Sequence, residues 1–336
     1  MSVENENVQM ISVKGKYSTL QVYIQGDLNE RFGKTVILTV HDVGTNHKSF
    51  IRFVNHPSME SVKERAIFLH VCVPGQEDSA PDFTAEFPSL GQLGEDLVCV
   101  LDEVDVRTCI AFGEGAGANI ISRFALVWPN RIMGIILVNC TSTTAGFIEY
   151  FKDMLMNLRL ESGVMTQAGF IEYFKDMLMN LRLESGVMTQ GAWDYLMMHK
   201  FWNVINMKKQ QYIDELKDAI NARNLSKYLY SFSKRTDFSG IIGAKLDNMD
   251  VLMVSGSRSP HLQSVYHMHK GMNKKKTTLL VVDGVCDILQ EAPSNLARSL
   301  ILLCKGCGVL SGVPIPGMER QRTLSSSMEE ADRPTR

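Results

Sequence analysis

The chain has 336 residues, 45% of them apolar, enough to bury one large core or two small ones. Its 35 Lys and Arg against 37 Asp and Glu leave a net charge of −2, so no overall field favours nucleic acid and none is expected as a partner. No apolar run approaches the ~20 residues that span a bilayer, which leaves at most peripheral membrane association.

In chain order, the first ten residues carry Glu4 and Glu6 without a basic stretch leading into an apolar core, and Ser2 stands where a myristoylation signal needs Gly. The expectation is a cytoplasmic chain, most of whose seven cysteines are buried, reduced thiols. Thr35–Val40 (TVILTV), residues 66–73 (AIFLHVCV), 108–112 (TCIAF) and 133–138 (MGIILV) are short, β-rich apolar runs closed by polar or glycine turns, the pattern of buried parallel strands. Between them, residues 90–104 place Leu93, Leu97, Val100, Leu101 and Val104 at helical spacing. This alternation predicts a doubly wound, mostly parallel α/β sheet. It resumes with residues 250–254 (DVLMV), a helix near 261–272, Thr277–Val282 (TTLLVV) and a last helix over 293–304.

The helical stretch between contains a tandem duplication: residues 145–167 (AGFIEYFKDMLMNLRLESGVMTQ) recur unchanged as 168–190. Each copy predicts an amphipathic helix ended by a glycine, and a 23-residue shift does not keep the two apolar stripes in phase, so two packed helices are expected. The implied organisation is a core over 1–143, a helical cap inserted after the sixth strand over 144–245, the rest of the core over 246–308, and a tail over 309–336. That tail, rich in Pro, Ser and charge, is expected to stay unfolded.

Gly113, Gly115 and Gly117 (GEGAG) follow a strand and precede a helix, the place where α/β-hydrolases carry G-x-S-x-G. The elbow is there and its nucleophile is not, because Gly115 occupies the middle position. The same residues fit G-x-G-x-x-G/A loosely, but the acidic residue that would bind a ribose is missing from the next strand end, so no dinucleotide is expected. The acid of a triad would follow VLMVSGS, where Ser255 and Ser257 stand, and no histidine follows Val282, only Asp283, Cys286 and Asp287. No catalytic residue is therefore assigned. His41 and Asp42, at the loop that builds the oxyanion hole in active relatives, are expected to fix that loop by hydrogen bonds. His261, His267 and His269 are expected to be packed or solvated, and Cys304 and Cys307 lack the second ligand pair of a zinc site, so neither a metal nor another cofactor is expected. In the tail, Arg320, Arg322 and Ser325 form R-x-R-x-x-S for a basophilic kinase, and Ser326 and Ser327 lie three residues before Glu329 and Glu330, as an acid-directed kinase requires.

The segments HDVGTNHKSF (41–50), VPGQEDSAPDF (73–83), PSLGQLGEDL (88–97) and GEGAGANIISRFAL (113–126) resemble the N-myc downstream-regulated (NDR) family. The resemblance implies an α/β-hydrolase fold with a helical cap and no hydrolase activity, acting in cytoplasmic signalling, stress response and differentiation through protein partners and regulatory kinases. The chain departs from the family in its duplicated cap helix and in Ser257, where an acidic residue is expected. Two other classes of function stay open at this level: an enzyme with a recruited nucleophile, Cys140 or Ser142, and a lipid or small-molecule carrier using the relic pocket.

Overall fold

A computed structural model of the chain describes residues 8–144, 186, 188, 190–201, 212–214, 216 and 219–316. Among them, eight strands form one sheet in the order β1-β2-β4-β3-β5-β6-β7-β8, with β1 Val8–Lys14, β2 Thr19–Gln25, β3 Thr35–Val40, β4 Ala66–Cys72, β5 Cys109–Glu114, β6 Ile132–Val138, β7 Asp250–Gly256 and β8 Thr277–Val282. β1 and β2 form an antiparallel hairpin and β2 runs antiparallel to β4, whereas every pairing from β4 to β8 is parallel. The helices are α1 Lys48–Val54, α2 Glu60–Lys63, α3 Leu90–Glu103, α4 Ala116–Val127, α5 Gln190–Phe201, α6 Ala222–Ser233, α7 Ser239–Lys245, α8 Leu262–Lys270, α9 Ile288–Glu291 and α10 Pro293–Gly306.

The central strands are apolar on both faces because helices cover both. Val36, Leu38 and Val40 of β3 pack with α3, α4 and α8, whereas Ile37 faces α1 and α10 together with Ile110 and Phe112. α3 begins at a capping box in which Ser89 Oγ accepts from the Gln92 N–H and Gln92 Oε1 accepts from the Ser89 N–H.

One carboxylate ties the antiparallel edge to α3. Asp96 is fully buried and accepts the backbone N–H groups of Lys16 (2.7 Å), Tyr17 (3.1 Å) and Ser18 (2.8 Å), along with the Ser18 hydroxyl (2.9 Å). Asp96→Ala would strand these donors at the hairpin turn, and we expect a loss of about 3 kcal/mol in urea denaturation, with Asp96→Asn losing less. A loss below about 1 kcal/mol would mean that strand pairing alone holds the hairpin.

Two expected boundaries move. α7, which the sequence assigns to the cap, instead lays Phe238, Ile242 and Leu246 into the core on the α4 side of the sheet, because these apolar residues, four apart, form one helix face with a sheet to cover. The Phe238 N–H donates to Ser142 O at 3.0 Å, so the chain leaves and re-enters the core at adjacent points. Residues 309–316, which the sequence assigns to the unfolded tail, are docked instead: Leu310 and Val313 are buried against the α10 layer and Val309 and Ile315 are partly buried beside them, four apolar side chains that give this short segment a surface to cover. Residues 145–167 lie outside the described residues, as does the second copy except Gly186, Met188 and Gln190. So do Arg320, Arg322, Ser325, Ser326 and Ser327.

Candidate functional site

Strand order reverses between β3 and β5, and the crevice beyond the carboxyl ends of parallel strands at such a reversal is where α/β proteins place their sites. Here that position holds the loop after β3, with His41 and Asp42, and the turn from β5 into α4. Gly113 is a strand residue paired with Val40 and Leu137. Gly115 has φ 53° and ψ −115°, the sharp strand-to-helix turn of a nucleophile elbow. Gly117 lets α4 press against the end of β3, since a Cβ there would lie 2.1 Å from the Val40 carbonyl oxygen.

The space a nucleophile would fill belongs to Asp42. A Cβ on Gly115 would lie 2.1 Å from the Asp42 carboxylate carbon. Asp42 Oδ1 accepts the Val43 and Ala116 N–H groups, each at 2.8 Å. These come from the residue after the elbow position and from the loop after β3, the two sources of an oxyanion hole in this fold. The same contact occupies the start of α4, where a dinucleotide phosphate would need free N–H groups.

Asp42 Oδ2 pairs at 2.8 Å with His199 Nε2, brought in by cap helix α5. Burial by itself would raise the Asp42 carboxyl; the His199 ring and the Ala116 N–H outweigh it and bring the pKa down to about 2. His261, at the start of α8, donates from Nε2 to the His199 carbonyl at 3.0 Å, and its ring meets that of His199 edge-on at 4.7 Å. His261 is thus packed, as expected, but inside the site. Burial, and then the neighbouring His199 ring, push its pKa down to about 3. His41 accepts the Val73 N–H at Nε2 (3.0 Å), so its proton sits on Nδ1 and is donated to Asp42 O at 2.8 Å. Burial lowers this ring to about 4 and keeps it neutral.

One residue further along α5, Lys200 reaches Glu114 Oε1 and Asp287 Oδ2, both at 3.1 Å, and all three side chains are at most 5% exposed. Burial would lower the Lys200 ammonium, but Asp287 and Glu114 raise it well above its ordinary value. Burial raises Glu114 to about 7 against the pull of Lys200. Asp287 Oδ1 also caps α9 by accepting the Leu289 and Gln290 N–H groups. The cap is therefore fastened to the core by two adjacent buried pairs, with Tyr212 and Tyr228 donating to the Gly44 and His41 carbonyls alongside (2.6 and 3.1 Å).

Sequence reasoning missed His199, Lys200 and Glu114. A histidine does reach the elbow, from the cap rather than from the chain after Val282, where it pairs with Asp42. The available signal was a polar pair, His199 and Lys200, set inside the apolar run LMMHKF. The other residues considered do not join the site. Ser255 donates to Asn139 Oδ1 (2.9 Å) and Ser257 to Asp283 Oδ1 (2.9 Å). Burial pushes the Cys140 thiol up to about 12, its neighbours within bonding distance being Ser122 and a carbonyl, and the Ser142 hydroxyl is buried without a hydrogen-bond partner among the described residues. Neither has the adjacent base a nucleophile needs.

A sequence model of the Ndr family matches residues 10–170 and 165–311, two pieces that meet at the junction of the duplicated copies. An uncharacterized protein of Caenorhabditis elegans is 61% identical over 335 residues, covering 99% of this chain and 96% of its own. Protein NDRG3 of Xenopus laevis is 27% identical over 320 residues (91% of this chain, 78% of the relative), and protein NDRG2 of Homo sapiens 26% over 322 residues (94% and 79%). Among solved structures, a thermophilic esterase from Thermogutta terrifontis aligns with a TM-score of 0.66 at 10% identity, covering 89% of this chain and 99% of that one. A bacterial membrane phospholipase A aligns at 0.63 and 16% identity, covering 90% and 87%. At such identities these two likenesses speak to the fold alone. No helix among the described residues is long and apolar enough to cross a membrane. The chain is a member of the Ndr family built on the α/β-hydrolase fold.

Proposed function

We propose that this protein is a non-catalytic member of its fold, working in cytoplasmic signal transduction, stress response and differentiation as an adaptor for protein partners, with a tail addressed by kinases. The observation that carries the first part is the Asp42 carboxylate: it fills the nucleophile's place and takes both N–H groups that would stabilise a tetrahedral intermediate. Neither of its own oxygens is left for attack, since Oδ1 accepts two N–H groups and Oδ2 holds His199. The adaptor role, the location and the kinase-addressed tail rest on membership of the family and on the R-x-R-x-x-S spacing at Ser325.

The purified full chain is expected to hydrolyse p-nitrophenyl esters no faster than a protein-only background and to resist labelling by a fluorophosphonate probe. Robust turnover that disappears in Cys140→Ala or Ser142→Ala would replace this reading with that of a recruited nucleophile.

A further inference from the structure

At the opposite end of the sheet from Asp42, a cleft of about 920 Å³ opens beneath the amino ends of β3, β5 and β6. Arg31, Lys34, Arg107 and Arg131 line it, against the acids Asp102 and Asp105. Arg31 pairs with Asp105 (3.0 Å) and Arg131 with Asp102 (2.7 Å), which neutralises both acids. Lys34 pairs with Glu30 outside the lining. Arg107 is exposed and has no side-chain partner among the described residues, and Arg31 keeps its Nε without one. The cleft thus carries surplus positive charge. Phe32 stands at its rim 81% exposed, with the Arg31 guanidinium stacked on its ring at 4.4 Å. A large apolar ring held beside cations suits a ligand that is both anionic and partly apolar.

We propose that this cleft is an intramolecular docking site for residues 324–332 of the chain's own tail once Ser325 is phosphorylated, an inference that rests on the kinase-addressed tail proposed above. The chain arrives at the right place: Val309 and Leu310 line the cleft, and the described residues end six positions later at Pro316. Six residues span at most about 21 Å and the nine from Pro316 to Ser325 about 31 Å, so Ser325 can return to the cleft. The charge also fits. Residues 325–332 (SSSMEEAD) hold three acids and no cation, and a phosphate adds a further −1.5 to −2, which makes docking conditional on modification. The phosphate forms charge-assisted hydrogen bonds with Arg107, while Leu324, adjacent in sequence, covers Phe32.

The test uses the full chain with phosphoserine installed co-translationally at position 325, so that docking is measured whether or not any kinase makes the modification. Cleavage after Glu329 and Glu330 by a glutamate-specific protease should be roughly tenfold slower than in the unmodified chain. Arg107→Glu, at an exposed position that leaves the far-ultraviolet circular dichroism unchanged, should restore the fast rate. Equal rates in the modified and unmodified chains, slow cleavage that persists in Arg107→Glu, or protection that grows with protein concentration would each overturn the proposal. A basophilic kinase that labels Ser325→Ala and wild-type chains equally would defeat the tail reading, and the installed phosphoserine would still report on the cleft.

Discussion

Replacing Gly115 by serine is expected to lower stability by roughly 3 kcal/mol or more and to create no esterase. The φ of 53° is one that L side chains rarely adopt, at a cost of ~1–3 kcal/mol, and overpacking a filled core costs another ~1–3. Overlap is the deciding term, because the new Cβ would sit 2.1 Å from a carboxylate whose oxygens are all engaged. An active relative bears the same backbone turn with a serine, so strain alone does not forbid one. Asp42→Ala by itself is also expected to destabilise, since it strands the Val43 and Ala116 N–H groups and the buried His199. In Gly115→Ser/Asp42→Ala the hydroxyl enters the vacated space, and the double variant should lose clearly less than the two single losses added together. Urea denaturation of the four proteins measures this coupling, and a Gly115→Ser variant within about 1 kcal/mol of wild type would show that Asp42 does not own the site.

Lys200→Met should cost about 3–5 kcal/mol near pH 7.5, because it leaves Glu114 and Asp287 buried without their cation. The loss should shrink as the pH falls. Glu114 already has a raised pKa of about 7, and removing Lys200, which pulls it down, raises it further. A carboxyl raised on folding binds a proton more readily in the folded chain, so its stabilising contribution is complete below its unfolded value of about 4.5 and is lost as pH rises through the folded value. His41 and His261, depressed to about 4 and 3, act in the opposite sense and withdraw stability as the pH drops below about 6.5. They do so in wild type and variant alike, so the difference between the two isolates the Lys200 group. Denaturant midpoints at pH 5.5 and 7.5 give that difference. The neutral triple variant Lys200→Met/Glu114→Gln/Asp287→Asn should recover most of the loss. A penalty unchanged across that pH range would show that buried carboxylate charge is not its source.

Much of the core was legible in the sequence because it is local. TVILTV and TTLLVV coincide with β3 and β8, and 90–104 contains α3, since a strand buried on both faces and an amphipathic helix each write their environment into consecutive residues. The GEGAG turn was equally legible, because a reversal that tight admits little besides glycine. The β1–β2 hairpin was not assigned: its burial pattern is partial and its register is held by Asp96, some eighty residues away.

The sequence by itself determined the strand-and-helix alternation, the elbow without a side chain, and a histidine and aspartate at the loop after β3. Only the tertiary structure decided what fills the elbow and what locks the cap. Asp42 meets Ala116 across 74 residues and His199 across 157, while Lys200 reaches Glu114 across 86. Such pairs leave no periodicity or spacing to read, because their energy comes from desolvated charges meeting after the chain has folded back on itself, and which charges meet is a property of the packing rather than of any stretch of the chain.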